Sequence, residues 1–397
     1  MFKSKPYGWT SQYLLGFFFS YGVYLPFWAI WFKHVGVDDS DIGLLLGLGF
    51  AVRCIANLVI TPRIHKVEHL IPALRGFTLL GLVACIIYIV CGGNLLALAA
   101  VTVLFNLSAG PIVPISDAIT NHYAKEGHLD YGRTRLWGSI AFIAGSTVVG
   151  LCAQRYGADI IPWVALAGLG FAQIMAARNP VVMPVDVNSH QQARPALMHI
   201  LRDSSVIKLM LIAALLQGSH AAYYGFSSIY WQKIGFDESM IGYLWSFSVA
   251  AEVGMFLVSK RLFANWSINN MFRLAAVGVL VRWGLTATIT DQWAMFAVQS
   301  LHSVTFAAAH LAAIRYIERS PSNHMVALQS LYNAIPLGAV MAILTSISGW
   351  VYGDWGADVF WVMAVMAVPV FFIRLPLPGK QPQSLTPQIN NIIITVI

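Results

Sequence analysis

Residues 20–43 read SYGVYLPFWAIWFKHVGVDDSDIG, and residues 219–242 read SHAAYYGFSSIYWQKIGFDESMIG. Set against each other at a shift of 199 residues, without gaps, they agree at nine of 24 positions. Both end in G-[VF]-D-[DE]-S-x-I-G, a glycine turn followed by an acidic helix start. Self-similarity at a fixed spacing marks a duplicated structural unit. The segment around 20–43 is the first apolar run of the chain, so its copy opens a second set of the same kind.

How many runs each set holds follows from composition. Of 397 residues, 58% are hydrophobic and only 10% charged, against roughly 25% charged in soluble domains. Twelve apolar runs can be marked out, from about 10–32 to about 358–376, each near the roughly 20 residues that carry an α-helix across a bilayer. The chain is therefore expected to be an all-α membrane protein with twelve transmembrane helices in two six-helix repeats. Residues 1–178 form the first bundle, 179–206 a central cytoplasmic loop and 207–376 the second bundle. A Pro- and Gln-rich tail, 377–397, is expected to be disordered.

Lysine and arginine set the orientation. With the N-terminus in the cytoplasm, Lys33, Arg155 and Lys233 fall outside, Arg53 and Arg282 fall within the membrane, and the remaining 19 of the 24 lie inside. Both termini are thus expected in the cytoplasm, the chain being a multi-pass protein of the inner (plasma) membrane. The net charge of +7 is then a matter of topology rather than a nucleic-acid footprint. Lys3 and Lys5 before an apolar run imitate a secretory leader, but the run is too long and lacks a small-residue cleavage site. Cys54, Cys85, Cys91 and Cys152 lie in the apolar runs without a CxxC spacing, and read as small packing residues.

The same 199-residue shift carries Arg53, in GFAVRCIANLV, onto Glu252, in SVAAEVGMF. A charge at mid-membrane costs roughly 2.5–3.5 kcal/mol on insertion scales and usually faces a partner or a wet cavity. Either each of the two is satisfied within its own half, or both line a chamber between the halves. Arg282 lies on the ninth run, His302 and His310 on the tenth, Asp117 at the end of the fourth and Arg135 at the start of the fifth. The two histidines are eight residues apart and share roughly one side of a helix, an arrangement open to proton relay or to plain packing.

At these residues a resemblance emerges. DYGRTRLWG, residues 130–138, resembles the fifth-helix signature of lactose permease, with Asp117 in the place of the acid that precedes it. HAAYYGFSSIYWQ, DYGRTRLWGS and HLAAIRYI are similar to stretches of the 3-phenylpropionate permease group of the major facilitator superfamily. The resemblance implies two six-helix halves, a substrate site between them near mid-membrane, substrate binding by Asp117 and Arg135, and proton coupling by Glu252, Arg282 and His302. There are departures: Thr305 stands where lactose permease has its proton-carrying acid, Phe142 where it has a sugar-stacking Trp, and Arg53 has no counterpart there.

Those departures suit an aromatic carboxylate better than a sugar. Arg53, with Arg135 as a rival, would hold the carboxylate, while Phe142, Tyr24 and its repeat mate Tyr223 would pack the ring. A carboxyl that alternates between burial and an arginine changes its proton affinity, which suits Glu252 near Arg282, with His302 or His310 as relay. The expected function is secondary active symport of a proton and a small aromatic carboxylate such as 3-phenylpropionate, by alternating access. A sugar or nucleoside symporter of the same fold is the alternative. No cofactor is expected beyond the proton gradient, and no metal, nucleic-acid or protein partner; the lipid bilayer is the surroundings and the working unit a monomer. A membrane enzyme would need a nucleophile–base pair or metal ligands, and no HExxH occurs.

Overall fold

In lipid, backbone N–H and C=O groups must find partners within the segment itself, so a chain this apolar spans as helices. The computed structural model describes residues 4–64, 66–185 and 200–376, and these are helical apart from turns and one isolated backbone bridge, Ser4–Pro180. The first half comprises α1 (Pro6–His34), α2 (Asp39–Val59), α3 (Leu70–Cys91), α4 (Leu95–Lys125), α5 (Tyr131–Tyr156) and α6 (Ile161–Ala177). In the second half α7 has two pieces, Ser204–Gly218 and Ala221–Lys233, followed by α8 (Glu238–Leu262) and α9 (Ile268–Thr288). α10 runs through Gln292–Ser300, a π-helical turn at Ser303–Ala308, and Ala309–Glu318. α11 likewise joins Ser322–Ala334 and Met341–Trp355 through a π-helical turn at Ile335–Val340, and α12 begins at Val359–Val365.

Eleven helical stretches among the described residues are long and apolar enough to cross a membrane. The last, His324–Phe371, has 48 residues, about 72 Å of helix at ~1.5 Å per residue, more than twice the ~30 Å hydrocarbon core. It folds back at Gly356, whose φ of +57° breaks the helix between α11 and α12. Residues 186–199 of the expected central loop and the expected disordered tail, 377–397, lie outside the described residues.

The repeated signature has a direct structural reading. Gly36 and Gly235 take φ of +90° and +94°, a backbone region that favours glycine, and Asp38 and Asp237 stand at the N-caps of α2 and α8. The Asp237 carboxylate accepts from the Met240 amide at 2.7 Å, as an N-cap should.

We call the side on which α1 begins the near side and the other the far side. α1 packs on α5 and α6, and α2 on α4; in the second half α9 packs on α12 and α8 on α10. The halves meet along two seams, α2 with α11 and α5 with α8. Each seam is built from small residues that let backbones touch. A Cβ on Gly43 would stand 2.6 Å from the Gly349 Cα, and one on Gly242 would strike the Ser146 carbonyl. The Thr147 and Ser246 hydroxyls bond across the α5–α8 seam at 2.9 Å. Outward-facing Leu96, Val90, Leu257 and Phe372 are exposed, as lipid-facing positions are, and exposed Trp163, Trp293, Trp350 and Trp355 gather toward the far side, where an interfacial aromatic belt belongs.

Candidate functional site

Between the halves lies a cavity of about 190 Å³, far more than the ~10–15 Å³ that admits one water. The first half contributes Tyr21 and Leu25 from α1, Phe50 and Arg53 from α2, and Phe142 from α5. The second half contributes Gln217 and Tyr224 from α7, and Trp245, Ser248, Val249 and Glu252 from α8. His302 and Phe306 of α10, with Leu337 and Met341 of α11, complete that wall. Arg53 and Glu252 therefore face one chamber. Repeat mates recur around it at the same shift of 199 residues: Leu25 with Tyr224, Phe50 with Val249, Arg53 with Glu252 and Phe142 with Met341.

Arg53 is half-buried and held by neutral partners. One guanidinium nitrogen donates to the Tyr21 hydroxyl at 2.8 Å, another to Asn106 Oδ1 at 3.0 Å, and Nε has no partner. Its charge lies over the Tyr21 ring, 5.1 Å from the centroid, a cation–π contact of about 0.5–2 kcal/mol. Asn106 is itself steadied by donating to the Tyr24 hydroxyl and the Thr102 carbonyl. Among the described residues no carboxylate comes within ion-pair distance of Arg53. A water-sized recess beside it is bordered by Tyr24, Asn106 and, from the other half, Tyr224.

The opposite wall carries a chain of hydrogen bonds whose direction can be deduced. Arg282, wholly buried, donates to His302 Nδ1 at 2.9 Å, to Thr305 Oγ1 at 3.1 Å and to Gln299 Oε1 at 2.9 Å. A guanidinium has no acceptor, so His302 Nδ1 offers its lone pair and the ring proton sits on Nε2. That Nε2–H points to Glu252 Oε2 at 3.1 Å. Thr305 in turn faces His220 Nε2 at 3.0 Å. His220 Nδ1 stands 3.1 and 3.2 Å from the carbonyls of Leu216 and Gln217 at the break in α7. It must donate to them, which leaves Nε2 to accept the Thr305 hydroxyl. Two neutral imidazoles thus flank one arginine, and the line ends on Glu252.

The remaining expected residues are placed elsewhere. Arg135 Nε lies 3.4 Å from Asp117 Oδ1 and the guanidinium sits 4.2 Å above the Phe18 ring. This pair is roofed by α1 and stands outside the cavity wall. His310 is also behind the wall, with Nδ1 3.1 Å from the Tyr332 hydroxyl. It lies on the same side of α10 as His302, with Phe306 stacked between the two rings, but about two turns further along the helix. Tyr223 is fully buried beneath Arg282 and against Trp245, and its neighbour Tyr224 faces the cavity in its stead. Tyr24 reaches only the recess, and Phe142 lines the main chamber, edge-on to Tyr21.

The family model described as MFS_1 like family matches residues 8–363. The chain belongs to this major-facilitator family. It is a multi-pass membrane transporter that handles a small molecule, not an enzyme. It is 39% identical over 370 residues to the "Probable 3-phenylpropionic acid transporter" of Escherichia coli (strain K12), covering 92% of this chain and 96% of that one. It is 22% identical over 349 residues to the maltose permease of Geobacillus stearothermophilus, covering 85% and 86% of the two chains. Among solved structures, the nucleoside transporter NupG superposes with a TM-score of 0.78 over 92% of this chain and 97% of that chain, at 14% identity. That likeness is one of fold. The transporter's cavity wall includes Tyr21, Gln217 and Tyr224, and the recess beside it Asn106, none of which the sequence singled out. Asn106 and Gln217 had a signal in hindsight, since each is a lone amide in an apolar run.

Proposed function

We propose that this transporter carries a small aromatic carboxylate, of the 3-phenylpropionate class, together with a proton into the cell by alternating access. The observation that supports this most is Arg53: a cation without a carboxylate partner among the described residues, facing a chamber walled by aromatic and aliphatic side chains. A charge in such surroundings favours an anionic ligand, and a guanidinium suits a planar carboxylate. The ligand's ring packs against Phe142, Trp245 and Phe306, while Tyr224 approaches the carboxylate from the other half, so that a bound ligand ties the two halves together. The relative in Escherichia coli supports the same substrate class.

The proton site is Glu252. In the arrangement described it is the acceptor for His302, and His302 cannot take a second proton while Arg282 occupies Nδ1. Protonating Glu252 removes the charge that orients His302, which frees the Arg282 line to rearrange as the halves rock. Asp117 and Arg135 act as an ion pair of the first half, and His310 steadies Tyr332. The near side is the cytoplasm, both termini lie there, the membrane is the inner (plasma) membrane, and the working unit is a monomer with no bound cofactor.

The test is uptake of labelled 3-phenylpropionate into vesicles under an imposed inward proton gradient. Accumulation against the substrate gradient, abolished by an uncoupler, is the expected result. Glu252→Gln should exchange labelled for unlabelled substrate yet fail to accumulate it. Undiminished accumulation in that variant would remove Glu252 from the proton role. Competition by sugars or nucleosides, but not by aryl acids, would overturn the substrate class.

A further inference from the structure

Gln217 lies at the end of the first piece of α7 and on the cavity wall, and it is 1% exposed. Its amide nitrogen faces the Phe306 carbonyl at 3.4 Å and the Tyr332 hydroxyl at 3.3 Å. A carbonyl can only accept, so this contact fixes which end of the amide is which. Oε1 is left buried with no hydrogen-bond partner. Two neighbouring polar groups of that wall are provided for: Ser248 donates to the Trp245 carbonyl at 2.8 Å, and the Trp245 indole N–H to the Ser228 hydroxyl at 2.9 Å. Buried acceptors are normally paired, and an orphan calls for an explanation.

We infer that Gln217 is a specificity-determining residue whose Oε1 accepts a hydrogen bond from a hydroxyl on the ligand's ring, so that the substrate class is the ring-hydroxylated arylalkanoic acids. This rests on the aryl-carboxylate reading above. Arg53 is on the wall of the first half and Gln217 on that of the second, with Phe142, Trp245 and Phe306 among the apolar surfaces of the chamber. A ligand complementary to these groups carries an anion, an aromatic body and a hydrogen-bond donor.

The experiment is a competition panel against uptake of labelled 3-phenylpropionate: its three ring-hydroxylated isomers, and the methyl ether of each. In the unaltered protein, at least one hydroxylated isomer should compete about five- to ten-fold better than unlabelled 3-phenylpropionate, the worth of one added hydrogen bond. Its methyl ether, which has no proton to give, should lose that advantage. In Gln217→Met, the hydroxylated and unsubstituted acids should come to parity, whatever the absolute rate. Should Gln217→Met not transport, the comparison of hydroxyl with ether in the unaltered protein decides alone. Overturning results are that no isomer gains from its hydroxyl, that ether and hydroxyl compete equally, or that the preference survives in Gln217→Met. If 3-phenylpropionate is carried but the hydroxyl gains nothing, this inference fails and the aryl-acid reading stands. If no aryl acid is carried, both fail.

Discussion

Arg53 shows how a charge can be made tolerable without being neutralised. Tyr21 and Asn106 supply oxygen acceptors and an aromatic face, which offset desolvation but leave the unit charge in place for a ligand. Removing it should therefore be felt by charged ligands above all. In Arg53→Gln, inhibition of uptake by 3-phenylpropionate should weaken about ten- to a hundred-fold, the range of hydrogen bonds to charged groups. Inhibition by the corresponding amide should change little; equal losses for acid and amide would show that Arg53 is structural. Arg53 and Glu252 stood out in the sequence because a charge in an apolar run is costly wherever it sits. Tyr224 did not, since a phenol in a helix is cheap enough to be there for many reasons. Tyr223 matches Tyr24 in the repeat, yet one residue is about 100° around a helix, which turns the Tyr223 ring into the packing and leaves Tyr224 facing the cavity.

At the scale of helices, the repeat was legible because a turn demands particular residues. Gly36 and Gly235 have left-handed backbones, and Asp38 and Asp237 mark helix starts, so two distant stretches were held to similar sequences. The interruptions were legible only in part: the π-helical turn of α11 contains Pro336, but proline is no reliable guide. α4 contains Pro111 and Pro114 yet is described as one continuous helix, whereas the π-helical turn of α10, Ser303–Ala308, contains no proline at all. His302 and Thr305, at its start and within it, both accept from the same Arg282 nitrogen. The seams carry a separate prediction. Because Thr147 and Ser246 touch at 2.9 Å, Thr147→Cys with Ser246→Cys, in a background lacking Cys54, Cys85, Cys91 and Cys152, should form a disulfide on mild oxidation. Alternating access requires that seam to part, so oxidation should stop uptake and a reductant should restore it. Full transport by the cross-linked protein would mean that the seam does not move.

For the whole molecule, the buried charges bear on how substrate and proton are coupled. Arg53, Arg135 and Arg282 oppose Asp117 and Glu252, which leaves one positive charge in the interior of the empty protein. A carboxylate bound beside Arg53 and a proton on Glu252 cancel, so the fully loaded protein holds the same charge. Either passenger alone alters it. The two forms that must rock between sides are thus electrostatically alike, and one-to-one symport should respond to a pH gradient but not to an imposed potassium diffusion potential. Measuring initial rates under each gradient separately checks this, and strong acceleration by voltage would refute one-to-one symport. Arg53 and Glu252 also hold the same station in the two copies of an ancient duplication. A chain with arginine at both would grip anions without a place for hydrogen ions, and one with glutamate at both would do the reverse. In the mechanism proposed above, divergence at that single station lets two sister bundles divide the labour of cargo and fuel.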